Sequence, residues 1–356
     1  MVRRQAGRVL PISTVQRYLN PRDLLVEYVF TADKAYALVI TKSQARLVTL
    51  GDRGAIDTAA DRFIGAVRAK QQALAEGDAL ARLVFSSIPE VRTHSNLIVV
   101  PDARLHNVPF AALVVGGKRL IETHSLVRAP SASTYVLLQQ KPTNSVPSLL
   151  AVGGVRYNAD ASRIAQQRGY KLDNLPGSRD EAIAAADVLA PILQDRLLLE
   201  GRQATEAAVK QALRSPRMLI HLGVHGIASD QPDRGALVFL PDASAGEDGL
   251  LEVPEIVRLR LRSDLAVLSA CDTAVGTVQG QEGVANLSRA FLLAGSRSVV
   301  STLWAIDDGF SATLMRSFYS SLAEGMSKAD ALVAGQRYIV QRFPDTAVPW
   351  YWAGYM

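Results

Sequence analysis

The feature that most constrains this 356-residue chain is a change of hydrophobic rhythm near residue 93. Beyond that point, short apolar runs bounded by turn residues alternate with amphipathic segments of helical period. A strand that is apolar on both faces must be covered on both faces, so the alternation specifies a mainly parallel sheet flanked by helices, an α/β fold. The runs fall at 96–100, 148–152, 196–199, 218–223, 265–270 and 298–304. Ser178 with Glu181 reads as a capping box opening a helix that Pro191 stops, and another helix runs from about Glu206 to Arg214. Residues 282–294 are amphipathic and close at Gly295; Ser327 with Asp330 opens the last helix, which Pro344 ends. The stretch 141–147, rich in Pro, Ser and Thr, reads as a linker.

The first 92 residues keep a different rhythm. Apolar alternation over 24–40 and 45–50 predicts antiparallel strands, and a helical pattern over 57–87 has Gly77 as its break and Pro89 as its end. The chain therefore divides into an N-terminal α+β block, 1–92, and a second domain, 93–356. Nothing in the first block carries chemistry, and its expected role is structural, docking or regulatory.

Composition narrows the function. Hydrophobic residues at 48% and charged residues at 21% describe a folded chain, with no low-complexity tract. The net charge of +5 is spread along the sequence without a basic stripe or interleaved aromatics, so no nucleic-acid partner is expected. No secretory signal follows Arg3, Arg4 and Arg8, and the most apolar stretch, 284–306, is interrupted by Arg289 and Arg297, so no membrane partner is expected either. The single cysteine, Cys271, excludes an internal disulfide and points to a reducing cytoplasm.

In an open parallel sheet, functional groups gather beyond the carboxyl ends of the strands. Two strands here end in reactive residues. In 218–226, Met-Leu-Ile-His-Leu-Gly-Val-His-Gly, His225 lies just past its strand, with Gly223 and Gly226 allowing a sharp turn. In 265–273, Leu-Ala-Val-Leu-Ser-Ala-Cys-Asp-Thr, Cys271 occupies the equivalent place. If the two strands are neighbours, thiol and imidazole face each other, and the imidazole can take the thiol proton during attack and return it to a leaving amine. Their separation of 46 residues is close to the spacing of about 50 between the caspase histidine and cysteine. Backbone amides at Gly226 and Cys271 are placed to form an oxyanion hole. A buried cysteine is by default inert packing; it is the position at a strand end, before Asp272 and Thr273, that argues for chemistry. His221 lies inside the strand and reads as a core or supporting histidine. His94, His106 and His124 lack ligand spacing, so neither a metal nor an organic cofactor is expected.

Seven stretches then carry a family resemblance: 97–113 (LIVVPDARLHNVPFAAL), 129–133 (APSAS), 175–181 (LPGSRDE), 221–226 (HLGVHG), 268–273 (LSACDT), 289–308 (RAFLLAGSRSVVSTLWAIDD) and 349–354 (PWYWAG). In this order and spacing, from about residue 65 to 356, the chain resembles CHAT-domain proteins. The resemblance implies a fold like that of caspases and separases, typically of bacterial proteases under the control of partner modules. It makes His225 the general base and Cys271 the nucleophile. The chain departs from the family pattern where Asp272, Thr273 and Ala274 stand for the frequent Glu-Thr-Gly, and where Leu222, Gly223 and Val224 stand for Phe-Ala-Thr. The resemblance also puts Met356 inside the last strand, as in a naturally short chain or a trimmed one.

Such a protease must choose the residue before the cut. The loop 304–310, with Trp304, Asp307 and Asp308, is expected to supply part of that pocket, one of the two carboxylates favouring Arg or Lys in the substrate. Both acids also read as caps of a helix from about Ser311, and Asp272 is a rival pocket acid. The insert 228–251, with a short strand at 236–240, reads as a hairpin beside the site that could act as a lid. The expected function is that of a cytoplasmic caspase-like cysteine endopeptidase cleaving a protein substrate under the control of a regulatory protein partner or signal. The alternative is a catalytically silent CHAT-type interaction scaffold. Thioester or ester chemistry at the same thiol has less support, because no serine elbow or acyl-carrier signal is present.

Overall fold

A computed structural model describes residues 9–141, 146–227, 234–269 and 281–356, with the backbone alone for 281–286. The chain forms two compact units, one of residues 1–141 with 327–354 and 356, the other of residues 142–326 with Tyr355.

In the first unit β1 (Asp23–Phe30), β2 (Lys34–Ile40) and β3 (Ala45–Asp52) form the antiparallel meander that their alternation requires. The helical pattern that follows is two helices, α1 (Arg53–Arg68) and α2 (Leu74–Phe85). The break comes not at Gly77 but before α2, where Lys70 and Ala73 adopt left-handed φ of 56° and 52°. Gly77 lies within α2 and against Phe63, so its small size serves packing. Next, β4 (Asn96–Val100) pairs parallel with β1, the short strands β5 (Val114–Val115) and β6 (Lys118–Arg119) form a hairpin, and β7 (Ser125–Arg128) pairs parallel with β4. The resulting mixed sheet has the order β3-β2-β1-β4-β7. The run at 96–100 is thus a strand, but it joins this sheet and not the parallel sheet of the second unit; an apolar run reports burial on both faces and not which neighbour it takes. The C-terminal helix Lys328–Arg342 belongs to this unit, is capped by the Ser327 hydroxyl, and donates from Arg337 Nε to the Ile121 carbonyl.

The second unit holds β8 (Ser148–Val155), α3 (Pro176–Val188), β9 (Asp195–Gly201), α4 (Glu206–Leu213), β10 (Leu219–Leu222), β11 (His225–Ile227), β12 (Ala236–Val238), β13 (Leu250–Glu252), β14 (Leu265–Leu268), α5 (Gln281–Ala294), β15 (Val299–Ser301) and α6 (Asp308–Ala323). Five of these strands form an all-parallel sheet in the order β15-β14-β10-β8-β9. Every residue of β10 and β14 is buried, as expected of central strands covered on both faces, whereas the edge strand β9 is partly exposed. Leu150, Ile220 and Ala266 join Phe239 and Phe291 in the main core. The α/β class and the mainly parallel sheet of the sequence reading are therefore those of the molecule.

Register sets the site. Val152, Leu222 and Leu268 lie level across β8, β10 and β14, so Gly153, Gly223 and Ser269 follow at one height. Over these ends sits the start of α3. The expected capping box is absent, because Pro176 fixes the first helical residue and the helix begins two residues before Ser178. Ser178 Oγ instead donates to the Leu175 carbonyl (2.8 Å) and accepts from Gly154 N (2.9 Å), tying the helix start to β8.

The described part of the 228–251 insert is a packed element. β11, β12 and β13 form a small antiparallel sheet, and β11 and β12 are buried throughout. It is fastened by Lys210 on α4, whose ammonium lies 2.6, 2.5 and 2.6 Å from Glu206, Glu247 and Glu255. These three carboxylates could group around a metal ion, but the ammonium occupies their centre. Residues 228–233 and most of the expected linker, 142–145, lie outside the described residues.

A methyl group on Gly153 would stand 2.1 Å from the Ser178 carbonyl oxygen. Gly153→Ala is expected to destabilise the protein by about 2–3 kcal/mol through overpacking, read as a lower urea midpoint at unchanged m-value. Gly65→Ala, in the last turn of α1 with open space around it, is expected to stabilise by up to about 0.5 kcal/mol in the same measurement.

Candidate active site

The chain leaves β10 at Leu222 and re-enters strand structure at His225, the first residue of β11. Gly223 between them is needed for contact and not for a turn: a Cβ there would lie 2.9 Å from Ser178 Cβ and 3.3 Å from the Val152 carbonyl oxygen. His225 is buried, and its Nε2 lies 2.7 Å from the Asp173 carbonyl oxygen. A carbonyl can only accept, so Nε2 carries the proton and Nδ1 is left as the basic nitrogen of the neutral ring. The His225 backbone N–H donates to Tyr157 Oη (3.2 Å), which donates to the Val238 carbonyl (3.1 Å), and the two rings lie 5.3 Å apart. The histidine is thus fixed in position and in tautomer, which a proton acceptor requires.

His225 lines a cleft of about 160 Å³ at the carboxyl end of the parallel sheet, together with Ser178, Glu181, Ser269, Asp308 and Ser311. Ser269 follows directly on β14. Cys271 and Asp272 come two and three residues later and lie outside the described residues. Gly226 stands in β11 opposite Leu237 of β12. The two acids of the 304–310 loop separate. Asp307 is exposed and caps α6, its Oδ1 accepting from Gly309 N (3.0 Å) and Phe310 N (3.4 Å). Asp308 lines the cleft, with Oδ2 accepting from Gly177 N at 3.1 Å. Trp304 is buried and is not among the lining residues, a place taken by Ala305 and Ile306.

Beneath the cleft lies a polar cluster that the sequence does not announce. Glu181, on α3, is 3% exposed and accepts from the Ser311 hydroxyl, which is also 2.5 Å from Tyr355 Oη; the Ser269 hydroxyl supports the same carboxylate. Its other oxygen, Oε2, accepts no hydrogen bond among the described residues and lies 3.7 Å from His221 Nε2. His221 is fully buried in β10, with Nδ1 2.8 Å from Tyr319 Oη. Burial pushes the Glu181 carboxyl up to about 7 and the His221 ring down to about 4, so the two do not form an ion pair in neutral solution. A glutamate that reads as a capping residue is in fact a buried acid of the cleft. The only sequence signal was its presence in the LPGSRDE stretch.

The sequence profile of the CHAT domain matches residues 68–356, most of the chain. The chain belongs to the CHAT-domain family. Among curated relatives, this CHAT chain is 27% identical over 315 residues to tetratricopeptide repeat protein 28 of Mus musculus and 28% identical over 317 residues to that of Homo sapiens. Each match takes in 77% of this chain and 12% of the relative, so the chain spans only a small part of those proteins. Among solved structures, the Arg-specific cysteine proteinase gingipain R superposes with a TM-score of 0.50 at 10% identity, covering 84% of this chain and 73% of that one. This is a likeness of fold, and it fits the caspase-like architecture. The Saccharomyces cerevisiae separase–securin complex superposes at 0.41, with 16% identity over 73% of this chain and 16% of that one. Among the described residues no helix is long and apolar enough to cross a membrane.

The buried pair of the CHAT domain has a consequence for pH. Between about pH 5 and 6.5 the folded pair holds one proton, on Glu181, and the unfolded pair also holds one, on the histidine, so their opposing linkages cancel. Glu181→Gln removes one side of that balance. With His221 alone, the unfolded chain binds the extra proton, and stability is expected to fall by about 1.4 kcal/mol per pH unit on acidification from pH 6.5 towards 4, beyond any slope of the wild type. Urea melts of both proteins across this range read the difference, and parallel pH profiles would refute the assignment.

Proposed function

We propose that this CHAT domain is a caspase-like cysteine endopeptidase that cleaves a protein substrate through Cys271 and His225. The observation that carries the reading is that Ser269, two residues before Cys271, lines the same cleft as the tautomer-fixed His225, at the ends of the adjacent strands β14 and β10. The Cys271 sulfur would attack the scissile carbonyl while its proton passes to Nδ1 of His225. Collapse of the tetrahedral intermediate breaks the C–N bond, and the proton goes to the leaving amine. Water, deprotonated by the same nitrogen, then hydrolyses the thioester. Backbone N–H groups of Gly226 and Cys271 are the proposed oxyanion donors.

Of the pocket acids expected from sequence, Asp308 is the one we retain for a basic substrate residue, because it lines the cleft whereas Asp307 is spent on its helix cap. No step of this chemistry needs a metal or an organic cofactor, and a free thiol suits a reducing cytoplasm. We assign residues 1–92 a structural or docking role, with control by a regulatory protein partner.

The test is labelling of Cys271 by peptide acyloxymethyl ketones of varied P1 residue, read by mass spectrometry. Labelling is expected to be at least about a hundredfold faster in the wild type than in His225→Ala, in line with the usual contribution of a positioned general base. Labelling no faster than that of a free thiol and indifferent to His225 would remove the peptidase reading and leave the interaction scaffold.

A further inference from the structure

The cleft contains a group that the proposed peptide-bond chemistry does not use. Glu181 is 3% exposed, yet it lines the cleft, and its Oε2 accepts no hydrogen bond among the described residues. An acceptor buried without a donor is costly unless a ligand supplies one. The second acid of the cleft, Asp308, lies close enough for its charge to act on Glu181, and no lysine or arginine is among the described residues that line the cleft. Two carboxylates facing one enclosed space repel each other until a cation enters. The neighbouring His221 does not provide that cation, since burial keeps its ring neutral near pH 7. Both carboxylates are also held in place. Ser311 and Ser269 support Glu181, and the Gly177 amide fixes one oxygen of Asp308, leaving the remaining oxygens to a forked or tetrahedral donor.

We propose that Glu181, with Asp308, forms a cation-binding floor in this cleft and selects a guanidinium or ammonium side chain, arginine or lysine, in the residue that precedes the cut. The selection of a substrate residue rests on the peptidase reading above; the cation site itself does not. Glu181 is the deeper of the two acids, so it dominates the selectivity. A planar amidinium or guanidinium can engage carboxylate oxygens in pairs, which favours arginine over lysine.

The site can be probed without catalysis. Benzamidine, a planar cation, and benzamide, its neutral counterpart, are titrated into the full chain by calorimetry. Benzamidine is expected to bind at least about tenfold more tightly than benzamide, and Glu181→Gln is expected to erase about tenfold of that affinity while leaving benzamide unchanged. The groups facing Glu181 are Asp308, Ser311 and Tyr319 from α6, His221 from β10, Ser269, Tyr355 and, across the cleft, His225. A cation prefers the ionised carboxylate, so benzamidine affinity should rise from pH 6 to pH 8, more steeply in the wild type than in Glu181→Gln. The wild-type slope needs no variant, and Asp308→Asn provides a second substitution should Glu181→Gln fold poorly. Equal binding of benzamidine and benzamide, or benzamidine affinity indifferent to Glu181, would overturn the proposal. Glu181-dependent binding without His225-dependent labelling of Cys271 would sustain the cation site and remove only the peptidase reading. Rapid labelling after apolar residues, with no preference for arginine or lysine, would sustain the peptidase reading and remove the selection of a basic residue.

Discussion

The architecture of the site depends on one close approach, that of the first turn of α3 to the carboxyl ends of β8 and β10. At Gly153 and Gly223 the strand ends carry no side chain, and Ser178 fills the space, bonded to the Gly154 amide. Because the contact is made by backbone and a short hydroxyl, the helix sits low over the sheet. That height carries Glu181, one turn further along α3, under the cleft, and brings the helix start within reach of Asp308. A bulkier residue at either glycine would lift the helix and open the floor.

The polar groups around the cleft are held in two ways. His225 is held by a carbonyl and a tyrosine hydroxyl, which keeps a single tautomer. Glu181 and His221 are buried enough that desolvation decides their protonation, keeping the His221 ring neutral near pH 7 and raising the Glu181 carboxyl to about 7. A protein gains nothing in stability from such a pair relative to well-packed apolar residues. A buried acid ready to lose its proton when a cation arrives is more readily understood as part of recognition.

Much of this was legible in the sequence, and the exceptions have a common cause. The parallel strands 148–152, 196–199 and 265–268, and the helices ended by Pro191 and Gly295, follow from local hydrophobic pattern and from the φ and hydrogen-bond limits of proline and glycine. The misread positions were decided by contact. Gly77 looked like a helix break and is a packing position against Phe63; Gly223 looked like a turn and is a seat for Ser178; Ser178 and Glu181 looked like a capping box and are a strand tie and a buried acid. In the loop 304–310 both aspartates had the composition of caps, and only their placement shows that Asp307 is the cap and Asp308 faces the cleft.

The sequence by itself determined the α/β class and the placing of His225 just past a parallel strand, because period and strand ends are properties of neighbouring residues. It also carried the motifs of the CHAT family. The partners were left to the tertiary structure. It assigned β4 to the mixed sheet of the first unit, seated the 236–252 hairpin in the core around Lys210, fixed the His225 tautomer through the Asp173 carbonyl, and brought Glu181 from α3 beside Asp308 from α6. Each of those pairings joins residues far apart in the chain, and their geometry exists only once the sheet has set the register that aligns them.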